Sequence, residues 1–341
     1  MDATNYPDSN LPAAQLNDAL KELSTIDLIK YSIRSEKCKN DVKTMTNPRK
    51  VKLGISITQR FYNIEIRPVE RTPGNSRGSF KIHINVDVYA VRSGTGSFRG
   101  RGFHGDYHFY FKDQSEGLMF MLNHLLYIFP CSPIRYLEVG PKPEKDIKTV
   151  IQWIKKQQLP DVEHCEIGYE MTTEMFLHIL KNVRITSHLE IHSDFARELK
   201  VKLPESLEYF SGKSRWLTSK QLLSMTNYKQ LDIWKSSFRN QHASAIINAV
   251  LGGGLPKLEY CKINIKCCNI DKILEKVEYE KIEADFWPSW ETQNILKNGQ
   301  TDWEVKALYD FDREDGKRLS LGHSASEYHP NEDFLHIYVR S

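Results

Sequence analysis

Six cysteines are scattered through 341 residues with no C-x-x-C pair and no histidine at zinc-finger spacing beside them. Cys38, Cys131, Cys165, Cys261, Cys267 and Cys268 therefore read as reduced thiols, with Cys267 and Cys268 expected as small core filler after Ile263 and Ile265. The start of the chain lacks the basic and apolar segments of a signal peptide, and no asparagine stands in an N-x-S/T acceptor site. An intracellular setting, cytoplasmic or nuclear, is expected. The most apolar stretch, 118–133, is interrupted by Asn123, His124 and Pro130. It falls short of the roughly 20 apolar residues that span a bilayer, so no membrane partner is expected. No long Gly, Ser, Gln or Pro tract occurs, which excludes collagen-like and low-complexity chains. Charge of one sign is scarce too: Lys+Arg 47 against Asp+Glu 44 leaves +3, too balanced for a surface that tracks nucleic acid throughout.

Catalytic signatures are equally sparse. The run Gly94-Thr95-Gly96-Ser97-Phe98-Arg99-Gly100 misses dinucleotide spacing by one residue and lacks the Gly-Lys-Ser/Thr ending of a phosphate loop. It reads as a hairpin turn. Arg92, Arg99 and Arg101 around it, beside Phe98 and Phe103, are a minor candidate for holding phosphate or single-stranded RNA. No H-E-x-x-H occurs, and His188 and His192, four apart, fall in a strand pattern where no helical metal face forms. No activating partner stands beside any cysteine. The chain is expected to be no enzyme, to need no cofactor and to hold no metal.

What is present is a change of period along the chain. Leu16, Leu20 and Leu23, followed by Ile26, Ile29 and Ile33, have helical spacing. Ser24 and Asp27 mark a second helix start, because a short oxygen side chain caps free N–H groups and Asp favours the positive helix end. Residues 1–46 thus form a short helical module, too small to stand alone; one reading is a helical lid on its own chain. Residues 47–133 turn to period two (Val51, Leu53, Ile55, Ile57; Ile82, Ile84, Val86, Val88; Tyr107, Phe109, Phe111), which predicts antiparallel strands with a helix near 115–128.

Residues 134–300 contain a degenerate repeat: Leu137-Glu138-Val139, Cys165-Glu166-Ile167, Leu189-Glu190-Ile191, Leu207-Glu208-Tyr209, Leu231-Asp232-Ile233, Cys261-Lys262-Ile263 and Ile282-Glu283-Ala284. The spacing brackets that of leucine-rich repeats. Between these cores lie helical faces at Ile147/Val150/Ile151/Ile154, Phe176/Ile179/Leu180 and Ala245/Ile246/Ala249/Val250, with capping-box spacing at Thr218-Ser219-Lys220-Gln221 and a helix end at Gly252-Gly253-Gly254. A curved α/β solenoid follows as the expectation. Residues 301–341 return to β, with Asp315-Gly316 as a hairpin turn, and read as a C-terminal β-hairpin cap. The fold class is α+β with α/β repeats.

The string Leu11-Pro12, Leu16, Leu20, Leu23, Asp27-Leu28, Tyr31-Ser32 and Lys37-Cys38-Lys39 resembles an F-box. With Tyr136-Leu137-Glu138-Val139, Leu217–Leu223, Leu231-Asp232-Ile233-Trp234, Gly253–Tyr260 and Tyr309–Lys317, the whole resembles the nematode F-box proteins that carry an F-box-associated type-two region. That resemblance implies a substrate-recognition subunit of a cullin-based ubiquitin ligase. A Skp-type adaptor would sit on the F-box, a cullin would join through the adaptor, and a protein substrate would bind the C-terminal region. It assigns Leu11, Pro12, Leu16, Leu20, Leu23, Leu28, Ile29 and Ser32 as adaptor-facing or F-box-shaping. Lys30 and Arg34 depart from the pattern, as does the lack of an aromatic at 40–43. The alternative is a repeat-based binding scaffold with a degenerate F-box and no ligase role.

Alternation along strands sends the central residue of each repeat core to the face opposite its apolar flanks. Glu138, Glu166, Glu190, Glu208, Asp232 and Glu283 would then form an acidic ladder broken by Lys262, suited to a basic partner segment. Trp234 shares that face and is a further contact candidate.

Overall fold

Capping chemistry starts the N-terminal helices. The chain enters α1 (Ala13–Glu22) at Pro12, whose missing N–H costs nothing at a helix start. α2 (Thr25–Ser32) begins where the backbone N–H of Asp27 donates to Ser24 Oγ at 3.2 Å, and α3 (Glu36–Lys43) where that of Cys38 donates to Ser35 Oγ at 3.1 Å. The structure is a computed structural model. It describes all residues except 1–5, 47, 49, 60, 70–78, 87–96, 102–106, 130–133, 142–143, 159–160, 198, 276, 283–302, 314, 327–332 and 341. Its architecture is mixed α/β, and it divides into two compact units: Met1–Glu166 with Asn182–Arg184, and Ile167–Lys181 with Ile185–Ser341.

In the first unit the three helices precede β1 (Val51–Ile57), β2 (Tyr62–Pro68), β3 (Phe80–Val86), β4 (Ser97–Arg101), β5 (Tyr107–Phe111), α4 (Gln114–Ile128), β6 (Ile134–Val139), α5 (Glu144–Lys156) and β7 (Asp161–Ile167). The strand order is β7-β6-β1-β2-β3-β5-β4. β1/β2, β2/β3 and β4/β5 are antiparallel as period two suggested, but β3/β5 and β1/β6 are parallel. Alternation specifies which side chains share a face and not the direction of the neighbouring strand. Ser97–Arg101 also departs from expectation: it is strand β4, so the part of the arginine-rich run carrying Arg99 is ladder rather than turn. Gly94, Gly96, Arg92 and Phe103 lie outside the described residues.

α4 packs on β2, β3 and β5 through Leu118, Met121, Leu122 and Leu125, all buried. Gly117 permits the approach, since a Cβ there would stand 2.4 Å from the Phe111 ring and 2.9 Å from Ile84. α5 buries Ile147, Val150, Ile151 and Ile154, the face its spacing predicted.

The second unit contains α6 (Thr173–Asn182), β8 (Arg184–Ile191), β9 (Tyr209–Lys213), α7 (Ser219–Leu223), β10 (Gln230–Trp234), α8 (Asn240–Leu251), β11 (Tyr260–Ile265), α9 (Ile270–Leu274), β12 (Glu280–Ile282), β13 (Trp303–Asp312), β14 (Arg318–Ser326) and β15 (Asp333–Arg340). Strands follow the order β12-β13-β14-β15-β11-β10-β9-β8. β8, β9, β10 and β11 are successive parallel neighbours, and β15 closes antiparallel on both β11 and β14. The capping box forms: Gln221 N–H donates to Thr218 Oγ1 at 3.2 Å and Thr218 N–H to Gln221 Oε1 at 2.9 Å. α8 turns a slightly different face inward than its spacing suggested, burying Ala243, Ile246, Ile247 and Val250 and exposing Ala245. Gly253 (φ +77°) follows it. β13 and β14 pair across the turn at Asp315-Gly316, where Gly316 takes φ +80°.

Cys267 and Cys268 are not core filler. Cys267 is exposed with φ +53° and Cys268 is half-buried, because the chain turns out of β11 just before them. Among the described residues, no helix is long and apolar enough to cross a membrane.

Candidate functional site

The eight F-box residues divide by burial. Leu16, Leu20, Leu28, Ile29 and Ser32 are buried inside their own unit, while Leu11 and Pro12 are exposed and Leu23 is half-buried. The buried five shape the module; only the other three remain open to a partner. Ser32 shows how closely the helices dock. Its hydroxyl donates to the Ile29 carbonyl at 2.8 Å, and its Oγ lies 2.7 Å from Nε2 of buried His124 on α4. With the hydroxyl proton already committed, His124 must supply the N–H at Nε2. Burial first, and Lys39 second, push the His124 pKa down to about 4, so the imidazole stays neutral.

The charges that depart from the F-box pattern are used nearby. Lys30 Nζ lies 4.9 Å from the Tyr107 ring centroid on β5, and the Arg34 guanidinium 5.4 Å from that of Tyr6. Tyr127 on α4 receives Lys39 and Lys43 over its ring at 4.5 and 4.0 Å, and its hydroxyl donates to Asn40 at 2.5 Å. An aromatic from α4 therefore stands beside residues 40–43, where the helix itself has none.

The ladder residues separate as well. In the first unit, Glu138 is half-buried on β6 opposite Ser56 of β1, and the Tyr136 hydroxyl donates to the Glu166 carboxylate. In the second unit the register aligns Glu190, Ser211, Asp232, Lys262 and His336 across β8, β9, β10, β11 and β15. Glu208 is not in that row. β9 begins one residue later, with Tyr209 aligned to His188, so Ser211 takes the central position and Glu208 pairs with Lys229 at 3.0 Å. The apolar-x-apolar pattern around 207–209 was three residues out because Phe210 and Gly212, not Leu207 and Tyr209, flank the row position. Glu283 lies outside the described residues.

Asp232 is the carboxylate of this row whose pKa is displaced. Burial raises its pKa, opposed by the Lys262 charge and by the nearby Trp234 side chain; Glu190 adds to the rise. Its Oδ1 is closed off from solvent and accepts no hydrogen bond. Lys262 is itself buried, with Nζ 4.7 Å from the Phe334 ring centroid. A parallel row two residues earlier is aromatic and polar: His188, Tyr209, Gln230, Tyr260 and Tyr338, with His188 stacked on Tyr209 at 4.1 Å.

Three neighbours of this face escaped sequence reasoning as ligand contacts. Tyr169, 60% exposed, stacks on His192 at 5.2 Å; His192 lies 5.8 Å from the Trp234 ring; and Lys213 Nζ lies 4.7 Å from the Tyr169 centroid. The one available signal was the Gly168-Tyr169 step, an aromatic placed directly after a strand core. A serine–histidine pair also exists, Ser324 Oγ 2.7 Å from His336 Nε2, with Tyr260 Oη 3.1 Å from Nδ1. Both residues are fully enclosed, which closes the pair to any substrate. No protein-family model matches the chain, and no curated protein matches it in sequence.

Proposed function

We propose that the chain is a non-enzymatic substrate receptor of a cullin-based ubiquitin ligase. The N-terminal helices offer Leu11, Pro12 and Leu23 to a Skp-type adaptor, and the β8–β11 face of the second unit holds a protein substrate. The observation that carries this reading is the division of the F-box residues: five close the module while the Leu-Pro entry of α1 stays open. A receptor of this kind needs no nucleophile, because it acts by raising the local concentration of substrate near a conjugating enzyme. The leucine-rich-repeat-like solenoid reading of 134–300 belongs with it. Its support is the run of parallel strands β8 to β11, with α7 and α8 in successive crossovers.

One observation favours the second reading, a binding scaffold with a degenerate F-box. Ser32, Lys30 and Arg34 are all engaged within their own unit, so the helices already act as a lid. Co-purification with a Skp-type adaptor separates the two. Changing Leu11 to Asp together with Pro12 to Ser touches only exposed groups, unlike removal of the helices, which would strip cover from α4. Loss of adaptor at unchanged melting temperature supports the receptor; equal recovery, or none even from the native chain, favours the scaffold.

A further inference from the structure

The face of the second unit gathers aromatic rings, carboxylates and a lysine. Tyr169, His192 and Trp234 form a chain of rings, with Tyr169 largely exposed at its end. Glu190 Oε1 lies 3.2 Å from His192 Nε2. Asp232 lies two residues before Trp234 on the same strand face, and its Oδ1 stays without a donor. A buried oxygen left without a donor is costly, and the electron-rich faces of aromatic rings attract cations. One kind of ligand answers both: a positively charged N–H donor.

An ammonium already samples the rings. Lys213 stands opposite Trp234 in the register, and its Nζ lies over Tyr169. Its charged form is disfavoured there, first by burial and then by Lys235. Lys235 and Asp194 are the charges that act on Lys213, and Lys262 and Glu190 those that act on Asp232. An incoming cation could take the place of the Lys213 ammonium over Tyr169, whereas an acidic segment would meet the carboxylates of Glu190 and Asp232.

We propose that Tyr169, His192, Trp234, Glu190 and Asp232 form a receptor site for the ε-ammonium of a lysine on a protein ligand, and that Lys213 keeps its place in the unliganded chain. The proposal rests on the second unit being the substrate-holding part and specifies the substrate's chemistry. An ammonium that retains its N–H groups fits better than a trimethylated one, because Asp232 Oδ1 needs a donor. Lys213 is then an internal competitor: it returns to Tyr169 when the ligand leaves and sets a threshold for weak ligands.

The test uses the full chain with isotope-labelled tryptophan, reading the Trp234 indole N–H signal, which is assigned by its loss in Trp234→Phe. The probes are three blocked pentapeptides, Gly-Ser-X-Ser-Gly, with lysine, norleucine or trimethyl-lysine at X. The lysine peptide should shift the signal, and norleucine should bind at least about tenfold more weakly, since it offers neither charge nor donor. Trimethyl-lysine should fall between them. Lys213→Met should tighten lysine binding several-fold, an effect that a merely structural role for these residues would not produce. Asp232→Asn should weaken binding about tenfold, with an unchanged melting temperature as the folding control.

Equal shifts by lysine and norleucine overturn the proposal, as does a Lys213→Met chain that binds lysine no better than the native one. A chain that captures the Skp-type adaptor yet ignores all three peptides also overturns the lysine site and leaves the ligase reading standing. Lysine binding without adaptor capture does the reverse.

Discussion

The two units spend their recognisable residues in opposite ways. In the first, the positions that resemble an interaction motif are mostly consumed by the core: Leu16, Leu20, Leu28, Ile29 and Ser32 face inward, and even Lys30 finds the Tyr107 ring. In the second, the strands use their apolar flanks for the core and leave Glu190, Asp232 and Trp234 on a half-buried face with an unsatisfied oxygen. A helical module this short has too little apolar area to stand alone, so its leucines are recruited for docking. A sheet strand separates the two tasks by alternation, because its core-facing residues are never the ones on the other face.

The sharpest way to break that comparison is to exchange charge across one strand position. Leu189 and Ile233 are fully enclosed, whereas Glu190, next to Leu189 in sequence and aligned with Asp232 through Ser211, is half-buried. Ile233→Lys or Leu189→Lys should cost more than about 4 kcal/mol through an unpaired buried charge and unfold the second unit. Glu190→Lys should leave its melting transition nearly in place. Similar losses from both kinds of change would show that the face is core.

Next in size comes Leu20→Ala in the first unit, with an expected loss of about 2–5 kcal/mol because the side chain is 1% exposed. Hydrogen exchange should speed up in α1 and α2 and leave β8–β11 protected. An unchanged first unit together with weakened adaptor capture would instead make Leu20 a contact residue.

Acid separates the units more gently. His124 in the first and His336 in the second are neutral, with pKa values pushed down to about 4 and about 3, in both cases mainly by burial. The unfolded chain takes up these protons near pH 6.5 and the folded chain does not, so both units lose stability as pH falls below that value. The loss should level off near pH 4 in the first unit, at about 3 kcal/mol, and continue towards pH 3 in the second, where it reaches about 5 kcal/mol. Residue-resolved exchange over pH 7 to 3 measures it; replacing either histidine by a neutral isostere should flatten its own unit's profile alone.

The smallest effect is at the caps. Ser24→Ala and Thr218→Ala each remove an oxygen that accepts from a helix N–H, which costs about 1 kcal/mol. The effect should remain within α2 or α7, measured as local fraying; loss that spreads through a whole unit would mean that the caps also carry tertiary contacts.

What the sequence determined by itself is the local part of this protein. The starts of α2, α3 and α7, the inward face of α5 and the turn at Asp315-Gly316 all depend on groups within a few residues of one another, so spacing and residue type suffice. The Glu190, Asp232 and Lys262 row was legible for the same reason: strand alternation survives wherever the apolar flanks are regular. Around 207–212 the flanks are ambiguous, since Leu207 and Phe210 are both buried, and only pairing with β8 and β10 selects Ser211 over Glu208. Tertiary structure alone decided the parallel pairing of β3 with β5, the burial of Leu20 and Ser32 against their own unit, the exposure of Cys267, and the meeting of Tyr169, His192, Lys213 and Trp234. Those contacts join residues far apart in the chain. Their geometry follows from how strands and helices pack after the loops close, and periodicity carries no information about that step.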